Sequence, residues 1–427
     1  MKLSKKEFIF HLFNVVFLFI FTVTAVELSV RYLIYKKGLY LKYIDRPRFL
    51  QLSQQDPGYQ FPKEFYQLDP RYGWKQTPLN AGVFRGWRYP MAEFRSGVTI
   101  NASGFRDDGP YVFEKDKLRI AVLGDSFIQA LQVGQSEAIP ELIERGLIKK
   151  GLDTKVYNFG VSSIGTIHQY RIFQEEALPM KPDIVILSFF PNDLVDNSPH
   201  YKHEKPQLTP QYEFDSKGDL VLKEFNLASQ DGMLILHETP LHPDAALKRA
   251  ARIVDTVKVL SERFRFLKSF EFLKLYLADH FGLRTDYDYP FDVYKKEYPP
   301  PLVESARLTC YLINKLEQEC RRNGIRFAVV LLPAREQVLP RYWKEHIDQR
   351  RYILRHDQFD LEKPTRIIRD FLIDHKIPYV DALPAFQQSK DKQKYYYAFD
   401  HHFTAEGHRK VADMLIEYLL DQNGGKK

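Results

Sequence analysis

The run Leu118-Arg119-Ile120-Ala121-Val122-Leu123-Gly124-Asp125-Ser126-Phe127 is apolar and rich in β-branched residues as far as Leu123, then turns abruptly small and polar. A segment of that kind reads as a buried strand. Small polar residues just past a buried parallel strand lie where α/β folds place their chemistry, outside the carboxyl ends of the strands. Ser126 then sits on a tight turn at the rim of a sheet with its hydroxyl free. The plain alternative is a strand-to-helix turn in which Gly124 gives backbone freedom and Ser126 caps a helix. The surrounding chain has to decide between them.

Downstream the pattern alternates. Ile139 to Leu147 has helical spacing and ends near Gly151. Lys155-Val156-Tyr157-Asn158 reads as a second strand, followed by Phe159-Gly160 and then a helix from Ile167 to Leu178. A third strand, Asp183 to Phe190, runs into Pro191-Asn192-Asp193. A long helix from Leu302 to Arg322 precedes the strand Ile325–Leu332, which stops at Pro333. A helix from Thr365 to His375, the strand Pro378–Asp381 and a final helix Ala405–Leu420 close the chain. Strands alternating with helices imply right-handed crossovers and a mainly parallel sheet. Residues 196–300 interrupt the rhythm with Pro/His-rich loops and a helical patch from Asp244 to Tyr276, so they read as an insertion, either a cap or decoration.

The N-terminus carries Lys2, Lys5 and Lys6, then a nearly unbroken apolar run from Phe8 to Val26. About nineteen residues at 1.5 Å each give roughly 28 Å, close to the hydrocarbon thickness of a bilayer. The expectation is one transmembrane helix within residues 1–37, its N-terminus cytoplasmic and the bulk of the chain extracytoplasmic. A cleaved signal peptide is the alternative, with Val23-Thr24-Ala25 as the cleavage site. Residues 38–110, rich in Tyr, Pro, Gly and Arg, read as a stem of turns and short strands. Within it Arg106 is a candidate substrate contact, although a structural salt bridge is the expected role. Residues 111–427 then form the main domain.

Composition narrows the partners. The chain has 427 residues, 44% hydrophobic and 14% aromatic, which suffices for a packed core. Its formal charge of +7 is spread over 62 basic and 55 acidic residues, with no basic block beside a nucleic-acid motif. A nucleic-acid partner is therefore not expected. Cys310 and Cys320 fall on one helix about 15 Å apart, too far to bridge.

Three strand ends offer Ser126, Gly160 and Asn192, and the loop before the last helix offers Asp400-His401-His402. A serine hydroxyl is a poor nucleophile until a base takes its proton, and histidine is the usual base. A carboxylate accepting the other imidazole N–H holds the ring in one tautomer. In an extended loop alternate residues point the same way, so Asp400 and His402 share a side while His401 faces away. The backbone N–H groups of Ser126 and Gly160 and the amide of Asn192 are candidate donors to a tetrahedral oxyanion. Each residue taken singly has an ordinary structural reading. Gly160 permits a turn, Asn192 caps a segment, and Asp400 forms a surface ion pair. Their occurrence together at strand ends favours chemistry.

The four blocks together resemble the SGNH hydrolase superfamily, the GDSL esterases and lipases. Gly124-Asp125-Ser126-Phe127 resembles the first block, with Phe where Leu is common. Asn158-Phe159-Gly160 resembles the second and Pro191-Asn192-Asp193 the third. Asp400-His401-His402, followed by Gly407-His408, resembles the last. One residue rather than two separates acid and histidine, similar to the branch containing the alginate-acetylating periplasmic proteins. That spacing leaves the base between His402 and His401, and the alternation favours His402. The segment Asn101 to Arg106 resembles a stem found in membrane-anchored bacterial members.

The resemblance implies a flavodoxin-like three-layer α/β/α sandwich around a mainly parallel five-stranded sheet. It implies Ser126 as nucleophile, His402 as base and then acid, and Asp400 as its orienter, with Ser126, Gly160 and Asn192 forming the oxyanion hole. No cofactor and no metal are implied. The expected activity is hydrolysis of acyl esters, O-acetyl above all, on a cell-envelope carbohydrate or lipid through an acyl-Ser126. The alternatives are transfer of the acyl group to an envelope polysaccharide by the same residues, with a membrane acyl-donor protein as partner, and a non-catalytic membrane-tethered glycan-binding module.

Overall fold

The computed structural model describes residues 65–69, 71–88, 91–198, 212–214, 220–222, 291–349, 356–398 and 400–424, together with 13, 14, 17–19, 21, 22, 24 and 25. The compact unit made of Gly58–Trp87, Met91–Ile235 and Asp286–Lys427 contains the sheet and the candidate site.

Four short strands come first: β1 (Tyr66–Asp69), β2 (Gly73–Gln76), β3 (Ala81–Arg88) and β4 (Met91–Thr99). They pair as β1 with β2 and β3 with β4. The main sheet is built from β5 (Leu118–Gly124), β6 (Thr154–Gly160), β7 (Ile184–Phe189), β8 (Arg326–Leu331) and β9 (Tyr379–Asp381). Its order is β9-β8-β7-β5-β6, and every pairing is parallel. A separate hairpin of Tyr212–Phe214 with Leu220–Leu222 lies within the expected insertion.

Period-two alternation explains why helices cover both faces of the sheet. Ala121 and Leu123 of β5 join Val185, Leu187, Val329 and Leu331 in one apolar cluster. Ile120 and Val122 join Val156, Ile184, Ile186 and Val330 in another. A strand buried on both sides reads as a continuous apolar run, and β5 and β7 do. The covering helices are α1 (Ile139–Lys149), α2 (Thr166–Ile172), α3 (Pro300–Arg322), α4 (Lys363–Asp374) and α5 (Ala405–Gly424). The first cluster takes in α2, α3 and α4, and the second α1 and α5. The architecture is a three-layer α/β/α sandwich around five parallel strands.

Helix α3 shows how sequence sets an element. Prolines at its start supply a fixed φ where no donor is needed. Leu302, Ala306, Leu312, Ile313, Leu316 and Cys320 then bury one stripe. The helix ends at Arg321 and Arg322 before Gly324, whose φ of +67° favours glycine. Cys310 and Cys320 both lie on this helix as free thiols. The helix expected over 167–178 is shorter: it ends at Ile172 and passes into a π turn over Phe173–Ala177.

The expected membrane-spanning run 8–26 falls mostly outside the described residues, as does the helical patch expected over 244–276. The described residues of the run are helical. Phe13, Phe17, Leu18, Phe19 and Phe21 are between 60% and 68% exposed. Among the described residues no helix is long and apolar enough to cross a membrane.

Candidate active site

The register of the sheet brings Gly124 of β5 level with Gly160 of β6, so the first two blocks end side by side at the carboxyl rim. The chain turns sharply after Gly124. Asp125 Oδ1 accepts the Phe127 N–H at 2.9 Å and caps the single helical turn Ser126–Gln129. Ser126 is half-buried at the first position of that turn. Ala130 ends the turn at φ +57°. Gly160 is required by close approach: a Cβ there would lie 2.2 Å from Gln129 N and 2.6 Å from the Ile128 carbonyl carbon.

The second half of the site is a short turn near the C-terminus. Tyr396 bridges Phe403, the Tyr397 N–H donates to His402 O at 2.9 Å, and the Thr404 N–H donates to Tyr395 O at 3.0 Å. This small ladder ends in the turn that carries Asp400 and His401. His401 stands at φ +77°, a left-handed conformation that costs a non-glycine residue about 1–2 kcal/mol. The expected extended alternation is thus replaced by a kink, with the same outcome for the side chains. Asp400 and His402 face each other, while His401 turns to Arg335 and Glu336, 3.4 Å and 3.7 Å away.

The structure brings Ser126, His402 and Asp400 into one line. His402 Nε2 lies 2.8 Å from Ser126 Oγ, and His402 Nδ1 lies 2.5 Å from Asp400 Oδ1. Phe127 lies against the imidazole, ring centroids 4.8 Å apart, and stacks on Phe190 at 4.1 Å. Burial pulls the imidazole down, but the Asp400 hydrogen bond and charge, helped by Asp125, leave its pKa above the usual histidine value. Burial pushes the Asp125 carboxyl up to about 6, against the Phe127 N–H, the His402 charge and the Asn192 side chain, which lower it.

The expected oxyanion donors are not equivalent. Ser126 N–H opens the helical turn, where no preceding carbonyl of the turn can take it. Gly160 N–H donates to Asn158 Oδ1 at 2.9 Å. Asn192 precedes the turn Asp193–Asp196 without capping it through its side chain, and lies against Asp125. Among the described residues no group of three or more His, Cys, Asp or Glu side chains is placed to hold a metal ion.

Arg106 takes neither of the roles expected for it. It is fully buried and donates to the carbonyls of Gly97 at 3.1 Å, Gln129 at 3.1 Å and Val133 at 2.6 Å, and to that of Ala130. It therefore clamps the end of the nucleophile turn, where a cation also suits the carbonyl dipoles. Sequence reasoning missed Arg335, whose guanidinium donates to Ala398 O at 2.6 Å and lies 3.8 Å from the Tyr342 ring centroid. Its place just past the end of β8 was the available signal. Glu93 of β4 accepts the Asp400 N–H at 3.1 Å, and nothing local in its sequence marks it.

Residues 297–427 match the family model described as the SGNH hydrolase-like domain of acetyltransferase AlgX. Over that segment the chain is similar to SGNH hydrolase-like proteins. The matched segment includes Asp400 and His402, while Ser126, Gly160 and Asn192 precede it. Among solved structures, a lipase/acylhydrolase from Enterococcus faecalis is 12% identical with a TM-score of 0.35, covering 71% of this chain and 96% of its own. An acetyl xylan esterase is 14% identical with a TM-score of 0.36, covering 70% and 98%. The psychrotrophic esterase EstA from Pseudoalteromonas sp. is 10% identical with a TM-score of 0.36, covering 72% and 100%. No curated protein matches the chain.

Proposed function

We propose that the protein is a serine-dependent acyl-ester enzyme acting through an acyl-Ser126. The observation that carries this reading is the continuous contact from Ser126 Oγ through His402 to Asp400, at 2.8 Å and 2.5 Å. Ser126 Oγ attacks the ester carbonyl carbon as His402 Nε2 takes its proton, and Asp400 stabilises the imidazolium through Nδ1. The tetrahedral adduct collapses, the carbon–oxygen bond to the alcohol breaks, and the alcohol leaves with the proton from His402. Water or a second alcohol then repeats the sequence in reverse and frees Ser126. Ser126 N–H and the Asn192 amide are the oxyanion donors in this reading.

The substrate in this reading is an O-acylated, above all O-acetylated, carbohydrate or lipid of the cell envelope. The apolar run 8–26 behind three lysines supports a membrane anchor with the site on the extracytoplasmic side. Transfer to a polysaccharide hydroxyl, from a membrane acyl donor, is the second reading, favoured by the acetyltransferase named in the family match. Both use one acyl-enzyme, and the acceptor alone distinguishes them.

The test is labelling of the full-length chain with a fluorophosphonate and turnover of 4-nitrophenyl acetate. Modification at Ser126, lost together with turnover in Ser126→Ala, is the expected result. Undiminished turnover in a folded Ser126→Ala chain refutes the proposal. Product partition between water and an added glycan then separates hydrolysis from transfer.

A further inference from the structure

We infer that β4 is a strut fixing the Asp400–His402 turn against the nucleophile turn, and that Glu93 is the positioning residue at its contact with Asp400. The two turns are far apart in sequence and meet through side chains, so something must hold their backbones at hydrogen-bonding distance. β4 touches both. On the nucleophile side, Ser96 Oγ donates to Leu131 O, and Gly97 O receives Arg106, which also holds Gln129 and Val133. On the other side, Glu93 Oε2 accepts the Asp400 N–H at 3.1 Å, and the Phe94 ring lies 4.9 Å from that of Tyr397.

The consequence is geometric. A backbone N–H held by a carboxylate fixes the peptide plane before Asp400, and with it the direction in which the Asp400 side chain leaves. The neighbouring His401 is in a left-handed conformation, so relaxation of this turn is downhill once the tether is cut. Asp400 then drifts from His402 Nδ1, and the imidazole loses the partner that keeps it protonatable and correctly oriented. Among the described residues, Asp400, Asp125 and His408 are titratable groups acting on His402.

This inference rests on the acyl-Ser126 reading for its importance, but its test does not. The His402 pKa is followed by NMR in the full-length chain carrying labelled histidine, its signal assigned by loss in His402→Gln. Glu93→Ala and Glu93→Asp both lose reach, the second keeping the charge. Glu93→Gln keeps an acceptor oxygen at full length and loses the charge. The expected result is a fall of about tenfold in proton affinity for Ala and Asp, with Gln near the wild type. Fluorophosphonate labelling of Ser126 is expected to slow about tenfold in Ala and Asp, and to be rescued in Gln. An unchanged His402 in Ala and Asp, or equal shifts in Gln and Ala, overturns the inference. A wild-type chain that is not labelled, with the NMR pattern as expected, instead refutes the acyl-enzyme reading and leaves the strut standing.

Discussion

The Ser126 turn and the Asp400–His402 turn lie at the same rim and share one hydrogen bond, yet they are held by different means. The first follows a strand buried on both faces and packs backbone against backbone at Gly160, with Arg106 gathering its terminal carbonyls. The second is a small ladder whose acid and histidine side chains are 23% and 24% exposed, tied down by contacts from Glu93 and Arg335. A nucleophile that must not move is thus embedded in backbone packing. A base that must accept and return a proton is set by side chains around a kinked loop. Substitutions on the two sides should therefore separate activity from stability.

The largest effect is expected at Asp400→Asn. His402 loses its anionic partner, so turnover of 4-nitrophenyl acetate should fall by about 10³-fold, or about 4 kcal/mol in the transition state. The imidazole pKa, now raised by Asp400, should drop as burial prevails, moving the acid limb of kcat/KM to lower pH. Because the folded pKa is raised, the pair stabilises the fold below the unfolded histidine pKa and loses that contribution as pH rises through the folded one. For a partly exposed pair the stability change should stay within about 1 kcal/mol. A large fall in melting temperature at pH 8 would break the contrast between the turns.

Gly160→Ala should behave in the opposite way. Its Cβ would meet the backbone of Gln129 and Ile128 at 2.2 Å and 2.6 Å, where no flexible side chain can give way. Overpacking of that kind costs about 3 kcal/mol. Denaturant unfolding should show this loss, with activity falling as the Ser126 turn is displaced. A stable Gly160→Ala chain of normal activity would mean that backbone packing does not fix the nucleophile.

The same division explains what the sequence disclosed. Five strands and their helices were legible because β5 and β7 are continuous apolar runs and α3 carries a regular buried stripe. Ser126, Gly160 and Asn192 were legible because they stand at strand ends. The pairing of Asp400 with His402 was legible only as spacing, and the kink at His401 was not, since it depends on Arg335 and Glu336 beyond the loop. The bond that takes Gly160 N–H to Asn158 was hidden because Asn158 is a strand residue, and the strand pattern does not show a side chain bonding the backbone two residues on. The role of Arg106 was hidden because a buried guanidinium usually meets a carboxylate, whereas here carbonyls receive it.

Asp125→Asn gives the smallest effect and sharpens the contrast on the nucleophile side. Burial raises the Asp125 carboxyl from 3.8 to about 6, so at neutral pH the fold holds a buried anion at a cost. The folded protein binds a proton more readily than the unfolded chain between those values. The stabilising contribution of that proton is complete below about pH 4 and is lost as pH rises through about 6. Asparagine keeps an oxygen for the Phe127 N–H and removes the charge. The variant should therefore be more stable than the wild type at pH 8 by about 2 kcal/mol, with the difference vanishing near pH 4. Its His402 pKa should fall slightly, because Asp125 contributes to raising it. Urea unfolding at the two pH values checks both the size and the sign, and a difference that grows toward low pH would show that burial does not govern this carboxyl.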